Sequence, residues 1–332
     1  YWSWWCFFCR WHHEIDYTQV SDNDYLNDLD VTSLDVKRQT QLLQQGSMRY
    51  QGRTLGLSID VTQFQTINPT VVSPYKRLPA IGLNFDSGRT NFSPRWTFAA
   101  QATNFDVDNF DTNNDGQEDR GRGARLYLEP GVSFPMEDSW WHFTPTVKAK
   151  GVVYALDDKH FMPEEDQAAR VDLQDVISGD VTQAELDARC SYDLYDSADP
   201  GLATERVSNR DNCNSRPGII TPMASLDAGL VFDRATSLFG NSYTNTFEPR
   251  LYYLYTQYKE QEDQPLFDTG FYTFDYNQLF RESRFTGYDR INDANQISLG
   301  LTTRLIDDRT GVETLWASIG QIYYFSDREV IL

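Results

Sequence analysis

The chain predicts an all-β fold, an incomplete antiparallel transmembrane β-barrel of about eleven strands. Three observations carry that prediction. Apolar and polar residues alternate strictly over segment after segment, which is the period of a strand and not of a helix. No run of about 18 apolar residues occurs, so no transmembrane helix is available, whereas a transmembrane strand needs only about ten residues with every second one apolar. The connections between alternating segments are short and long in turn along the whole chain.

In chain order the strands are expected near residues 12–20, 32–50, 53–66, 77–87, 92–106, 122–136, 139–156, 218–234, 243–259, 291–306 and 311–326. The alternation is plain in the third, where Leu55, Leu57, Ile59 and Val61 oppose Gly56, Ser58, Asp60 and Thr62. It returns in the eighth, where Leu226, Ala228, Leu230 and Phe232 oppose Ser225, Asp227 and Gly229. In the tenth, Ile297, Leu299, Leu301, Thr303 and Leu305 oppose Gln296, Ser298, Gly300, Thr302 and Arg304. Pro79, Pro94, Pro130, Pro145, Pro222 and Pro249 enter strands on the apolar parity. Each removes a ladder donor, so irregular and weakened pairing is expected around them.

Short connections lie at 51–53, 86–89, 135–138, 233–241 and 307–310, and long ones at 21–31, 67–76, 106–121, 156–217 and 258–290. Short turns on one rim and long polar loops on the other match the periplasmic turns and extracellular loops of an outer-membrane barrel. A soluble sandwich or propeller has no reason to keep that parity. Residues 12–332 are therefore expected to form one partial barrel with long extracellular loops at 106–121, 156–217 and 258–290. Within the second of these, the acidic segment around 164–185 is expected to be partly helical. Residues 1–11 have no basic start, aliphatic core or small-residue cleavage site, and are expected to be an atypical, non-native end.

Composition agrees with a sheet that is apolar on one face and wet on the other. Aromatic residues make up 14% of the chain, yet its mean hydropathy is −0.57. The net charge of −20 argues against a nucleic-acid partner, which requires clustered Lys and Arg. Asp60, Asp86, Arg125, Glu129, Lys148, Lys150, Asp227, Glu248, Arg250 and Arg304 share the polar parity and are expected to face the lumen. Enclosing them dry would cost several kcal/mol apiece, so the interior is expected to be wet or filled by a polar partner. Such a barrel is wide, and bacterial single-chain barrels close with even strand numbers, so further strands are expected beyond this chain. Trp140, Trp141, Phe143, Tyr252, Tyr253, Tyr255, Tyr323, Tyr324 and Phe325 lie near strand ends, where a barrel places its aromatic girdles.

Motifs for chemistry are few. Asp111, Asn113 and Asp115 followed by Gly116 match the first half of a calcium loop, but Arg122 stands at the twelfth position, where a bidentate Glu is required. They form a weak metal candidate, and no metal site is expected. Cys6 and Cys9 have a C-x-x-C spacing near His12 and His13, in surroundings that resemble no zinc ribbon. Cys190 and Cys213 are placed to close a loop disulfide in an oxidising compartment. The four histidines lie in no nucleophile or metal motif, so no catalytic residue, enzyme activity or cofactor is expected.

The stretch 279–296, LFRESRFTGYDRINDANQ, resembles the most distinctive part of the barrel of the LPS-assembly (LptD) family, with Leu279, Phe280, Arg281, Gly287, Asp289, Arg290, Asn295 and Gln296 as its marker residues. SIGQIYYF at 318–325 is similar to the strand that follows it there, and DYTQVSDNDYLND at 16–28 to an early hairpin. The resemblance implies the central part of a bacterial outer-membrane barrel, embedded in outer-membrane lipid and plugged by a lipoprotein of the LptE type. It further implies that the sugars of lipopolysaccharide pass through the lumen while lipid A is released sideways. The family's periplasmic domain and the first and last barrel strands have no counterpart in the sequence, and its essential cysteines are not matched by the four here. Two other readings remain beside it: a general porin or receptor barrel, and a soluble carbohydrate-binding β protein using its aromatics as stacking platforms.

Overall fold

Strict alternation produces long antiparallel pairing. The computed structural model describes residues 11–22, 40–67, 73–107, 121–156, 169–182, 191–195, 198, 205–208, 215–238, 240–261 and 264–332. Strands β1 (Trp11–Tyr17), β2 (Gln41–Gln51), β3 (Leu55–Thr66), β4 (Lys76–Asp86), β5 (Arg95–Asp106) and β6 (Gly123–Ser133) follow one another. After them come β7 (Met136–Asp138), β8 (Trp141–Leu156) and, within the long connection, β9 (Ala169–Asp172), helix α1 (Leu173–Ser178), β10 (Ser191–Tyr195) and β11 (Glu205–Ser208). The chain then forms β12 (Gly218–Leu230), β13 (Phe232–Leu238), β14 (Asn241–Thr256), a short 3-10 helix (Tyr276–Phe280), β15 (Ala294–Asp307) and β16 (Glu313–Tyr324).

Thirteen of the strands form one sheet, whose path runs β1-β2-β3-β4-β5-β6-β8-β12-β14-β15-β16. The eleven positions on this path coincide with the eleven expected strands, and β1 and β16 end the sheet without pairing to each other. Two short strands extend their predecessors. β7 meets β8 at Met136↔Phe143 in the register that pairs Ser133 with Thr146. β13 meets β14 at Phe232↔Phe247, continuing the register of Gly229↔Arg250. The stretches 135–138 and 233–241, expected as turns, are thus largely strand, because their residues continue the ladder of the facing strand to a tight reversal. In the long connection, β9, β10 and β11 make a separate three-stranded sheet, and α1 supplies the expected helix.

The prolines act unequally. At Pro79 the register slips on both sides of β4, between Arg77 and Ala80 against β5 and between Asp60 and Thr62 against β3. Around Pro130 the ladder to β8 lapses between Leu128 and Gly131. Pro222 and Pro249 sit in unbroken registers, so irregularity is not general.

The apolar stripe points to the outside. Ile319 is 73% exposed, Ile220 69% and Ile81 48%, although all three stand within strands. An apolar face of this extent cannot be left to water, whereas it suits hydrocarbon. The buried core lies on the opposite, polar-parity face. There Phe105, Tyr127, Val152 and Tyr154 pack against Phe267 and Ile291, which belong to the connection between β14 and β15. Phe267 stacks on Phe105 with centroids 4.4 Å apart, and Tyr288 stacks on Tyr127 at 4.2 Å. The residues expected as a long loop at 258–290 therefore return across the polar face of the sheet.

Aromatics crowd both rims of the outer face. Trp140 and Phe232 lie at the rim of short turns, and Tyr253, Tyr323 and Phe325 cluster at the other, with Tyr323 and Phe325 5.1 Å apart. Tyr252 and Tyr324 depart from the expected girdle: Tyr324 pairs with Gln296 on the polar parity, and Tyr252 goes further. It shares parity with Arg250 and is buried on the polar face near Phe280.

Candidate functional site

The polar face and residues 264–293 together make the most elaborate polar assembly among the described residues. Its centre is Arg125 of β6, whose side chain is 0% exposed. Its guanidinium donates to both oxygens of Asp268, at 2.6 and 3.0 Å, to Gln101 Oε1 at 3.1 Å, and to Asp289. Phe105 lies against the cation at 4.8 Å.

Asp289 is equally enclosed and is the hub of the returning segment. One carboxylate oxygen accepts from Arg125 and from the Tyr154 hydroxyl at 3.0 Å. The other accepts from the backbone N–H groups of Phe267 (2.8 Å) and Asp268 (2.9 Å) and from Thr269 Oγ1 (3.0 Å). Five donors on one carboxylate satisfy its lone pairs, and only such saturation makes a buried charge tolerable. Asp268 is less well served: burial holds its pKa above the usual aspartate value, against the pull of Arg125.

The chain turns tightly between these acids. Gly287 has φ +65°, and a Cβ there would come within 2.6 Å of the Asp268 carbonyl oxygen and 2.8 Å of Thr269 Oγ1. Only glycine avoids both the left-handed strain and the clash. Arg290 donates to the backbone carbonyls of Gln264 (3.0 Å), Pro265 (3.3 Å) and Asp289 (3.1 Å). Gln261 brackets Ile291, donating to its carbonyl at 2.9 Å and accepting from its N–H at 2.8 Å.

A second ionic cluster lies beside the first. Lys148 bridges Glu129 and Glu282 at 2.9 Å each, and Lys150 reaches Glu282 at 3.4 Å. Further along, Arg250 forks onto Asp227 at 2.7 and 2.8 Å while its guanidinium lies 4.1 Å from the Phe280 ring. Gly300 of β15 makes that docking possible, because a Cβ would meet Phe280 Cζ at 2.5 Å. Between the segment and the sheet remains a cavity of about 590 Å³, lined among others by Gln101, Glu129, Lys150, Arg281, Tyr288 and Asn292.

All ten residues expected on the polar parity find ionic partners. Besides the clusters above, Asp60 meets Arg49 at 3.3 Å, Asp86 meets Arg95 at 2.8 Å, and Glu248 meets Arg304 at 3.2 Å. Of the marker residues, Leu279 is buried, Arg281 lies over the Tyr272 ring at 4.5 Å, Asn295 accepts from the Tyr253 hydroxyl at 3.0 Å, and Gln296 is buried on β15. The sequence reading missed Asp268, Glu282, Gln101 and Tyr154, because none of them stands out by spacing. Asp111, Asn113 and Asp115, and the pair Cys190 and Cys213, lie outside the described residues, as do Cys6 and Cys9.

Comparison with known proteins gives a uniform answer. The family described as "LptD: LPS transport system D" matches residues 7–332. An "LPS-assembly protein LptD" of Pseudomonas putida is 38% identical over 96% of this chain and 33% of its own length. Proteins of the same name from Pseudomonas aeruginosa and Pseudomonas syringae are 38% and 36% identical, each over 97% of this chain and 32% of their own. The chain thus spans about a third of the length of the curated relatives it matches.

Proposed function

The chain belongs to the LptD family, and from that premise we propose that it is the central part of an outer-membrane β-barrel that assembles lipopolysaccharide in the outer leaflet. The exposed apolar strands meet lipid, and the charged parity lines a lumen through which the sugars pass. A lipoprotein of the LptE type plugs the remaining lumen, and lipid A leaves sideways between strands of the barrel.

One observation carries this reading: the polar face is built to hold charge in an enclosed, hydrogen-bonded setting while the other face is stripped of it. Sugars and phosphates exchange water for fixed hydrogen-bonding groups, and a face bearing Lys148, Lys150, Glu129 and Glu282 within one cluster offers both donors and acceptors. The test is to replace Lys148 and Lys150 together with Gln in the full-length protein. Surface lipopolysaccharide is expected to fall. Unchanged surface lipopolysaccharide together with unchanged plug binding removes these lysines from the mechanism.

The return of residues 264–293 over the polar face also supports a second reading, a general porin or receptor barrel whose inward segment sets a pore. Single-channel conductance of the complete protein separates the two. A large, steady open state favours the porin; a closed lumen favours assembly of lipopolysaccharide.

A further inference from the structure

Beside the large cavity the returning segment encloses a smaller pocket of about 80 Å³, room for a few water molecules or one tetrahedral oxyanion. The two spaces share Tyr272, Arg281, Ser283 and Asn292 in their walls. Three arginines line the small one: Arg281, Arg284 and Arg328. Each guanidinium is laid against an aromatic ring, Arg281 on Tyr272 at 4.5 Å, Arg284 on Phe285 at 4.9 Å and Arg328 on Tyr324 at 4.4 Å. The rings fix the guanidinium faces and leave the N–H edges for something else.

Those edges are not used as they are elsewhere in the site. Arg290 donates to backbone carbonyls and Arg125 to two carboxylates and an amide oxygen with only its Nε unpaired, whereas both Nε and Nη2 of Arg284 are buried with no hydrogen-bond partner. A buried charged donor left unpaired is costly. The carboxylate in the pocket wall, Asp293, is already engaged by the N–H groups of Glu329 (2.9 Å) and Val330 (3.1 Å). Burial, and then the neighbouring Arg328 cation, push the Arg284 pKa down. Several cations held together with one occupied carboxylate call for an anion. A carboxylate ligand offers two oxygens in one plane, whereas a phosphoryl group offers three terminal oxygens, one for each guanidinium.

We propose that Arg281, Arg284 and Arg328 form a subsite for a phosphate monoester whose carrier saccharide occupies the adjoining cavity. The phosphoryl chemistry stands on the pocket alone, while a lipopolysaccharide carrier rests on the function proposed above.

The test uses the full-length protein with its plug partner in detergent, titrated calorimetrically with lipopolysaccharide, with phosphatase-treated lipopolysaccharide and with inorganic phosphate. The intact protein is expected to prefer the phosphorylated glycolipid by about tenfold, as for loss of one charge-assisted contact. Arg284→Gln and Arg328→Gln are each expected to erase the preference, and Arg284→Lys to keep part of it. Arg328 follows the last strand and is exposed, so its variant separates loss of the subsite from loss of the fold. No preference in the intact protein, or a preference that survives both Gln variants, overturns the proposal. If neither glycolipid binds, the transport reading fails and inorganic phosphate decides the subsite. Binding abolished by Arg328→Gln then upholds it with free phosphate as ligand, and absence of binding overturns it.

Discussion

The two halves of the polar face follow the same alternation and use their charges in opposite ways. On β2 and β3, Arg49 and Asp60 meet at 3.3 Å with side chains 58% and 27% exposed. On β6, Arg125 and its partner Asp289 are both 0% exposed. Strand periodicity assigns a charge to a face; what covers that face decides whether the charge matters. Pairs screened by water contribute little, whereas an enclosed pair fixes whatever carries its partner. Here the partner is carried by residues 264–293, so the β6–β14 half of the face is a dock and the β2–β4 half a wet wall.

The sharpest way to break that contrast is to remove the hub. Asp289→Asn keeps the size of the side chain but takes the charge from Arg125 and turns an amide toward the N–H groups of Phe267 and Asp268. Loss of one partner of a buried pair costs about 3–5 kcal/mol. The expected outcome in the full-length protein is rapid proteolysis within 264–293 while the strands stay protected. Strand protection lost together with the segment would show that the dock is part of the barrel's own fold. Gly287→Ala should come next, at about 1–3 kcal/mol, the usual range for a residue forced into left-handed backbone, here with a clash against Asp268 added. The same proteolysis assay reads it.

Asp268→Asn is expected to be milder, about 1 kcal/mol or less, the size of an ordinary hydrogen bond. Burial raises the Asp268 pKa, so its folded-state value exceeds the unfolded one. Its contribution to docking is therefore fully present below the ordinary aspartate value and is lost as pH rises through the raised one. Protection of the segment should weaken across that mildly acid window in the native protein, and Asp268→Asn should flatten the dependence. A steeper dependence in the variant would place the titration elsewhere.

The eleven-strand path was legible because alternation needs only local residue types. Parity also placed the ten charged residues on one face, and counting by two from Arg250 would have moved Tyr252 from the girdle to the buried side. The dock was not legible. Asp268, Glu282 and Asp289 sit in irregular chain with no period, and their partners are more than a hundred residues away, as with Arg125 and Asp289. Likeness to a family marked 279–296 as special without saying what it does. Gly287 and Asp289 acquire a physical reason only when the segment is seen lying on Arg125. The strands β7 and β13 were hidden for a related cause: they are defined by the register of their partners, not by apolar content of their own.

The smallest expected effect tests the other half. Arg49→Gln removes an exposed partner of Asp60 and should change stability by no more than about 1 kcal/mol, the range of surface ion pairs, with midpoint of unfolding as the readout. Because the pair is screened, raising the salt concentration should reduce even that difference. The same substitution made in the presence of the proposed plug lipoprotein is the more telling version. If the effect then grows to the size seen at Asp289, the wet wall is wet only in isolation, and a second protein covers β2–β4 as residues 264–293 cover β6–β14. If it stays small, the asymmetry between the halves belongs to the barrel itself, and under the proposed function the open half is where a hydrated sugar would meet the least fixed charge.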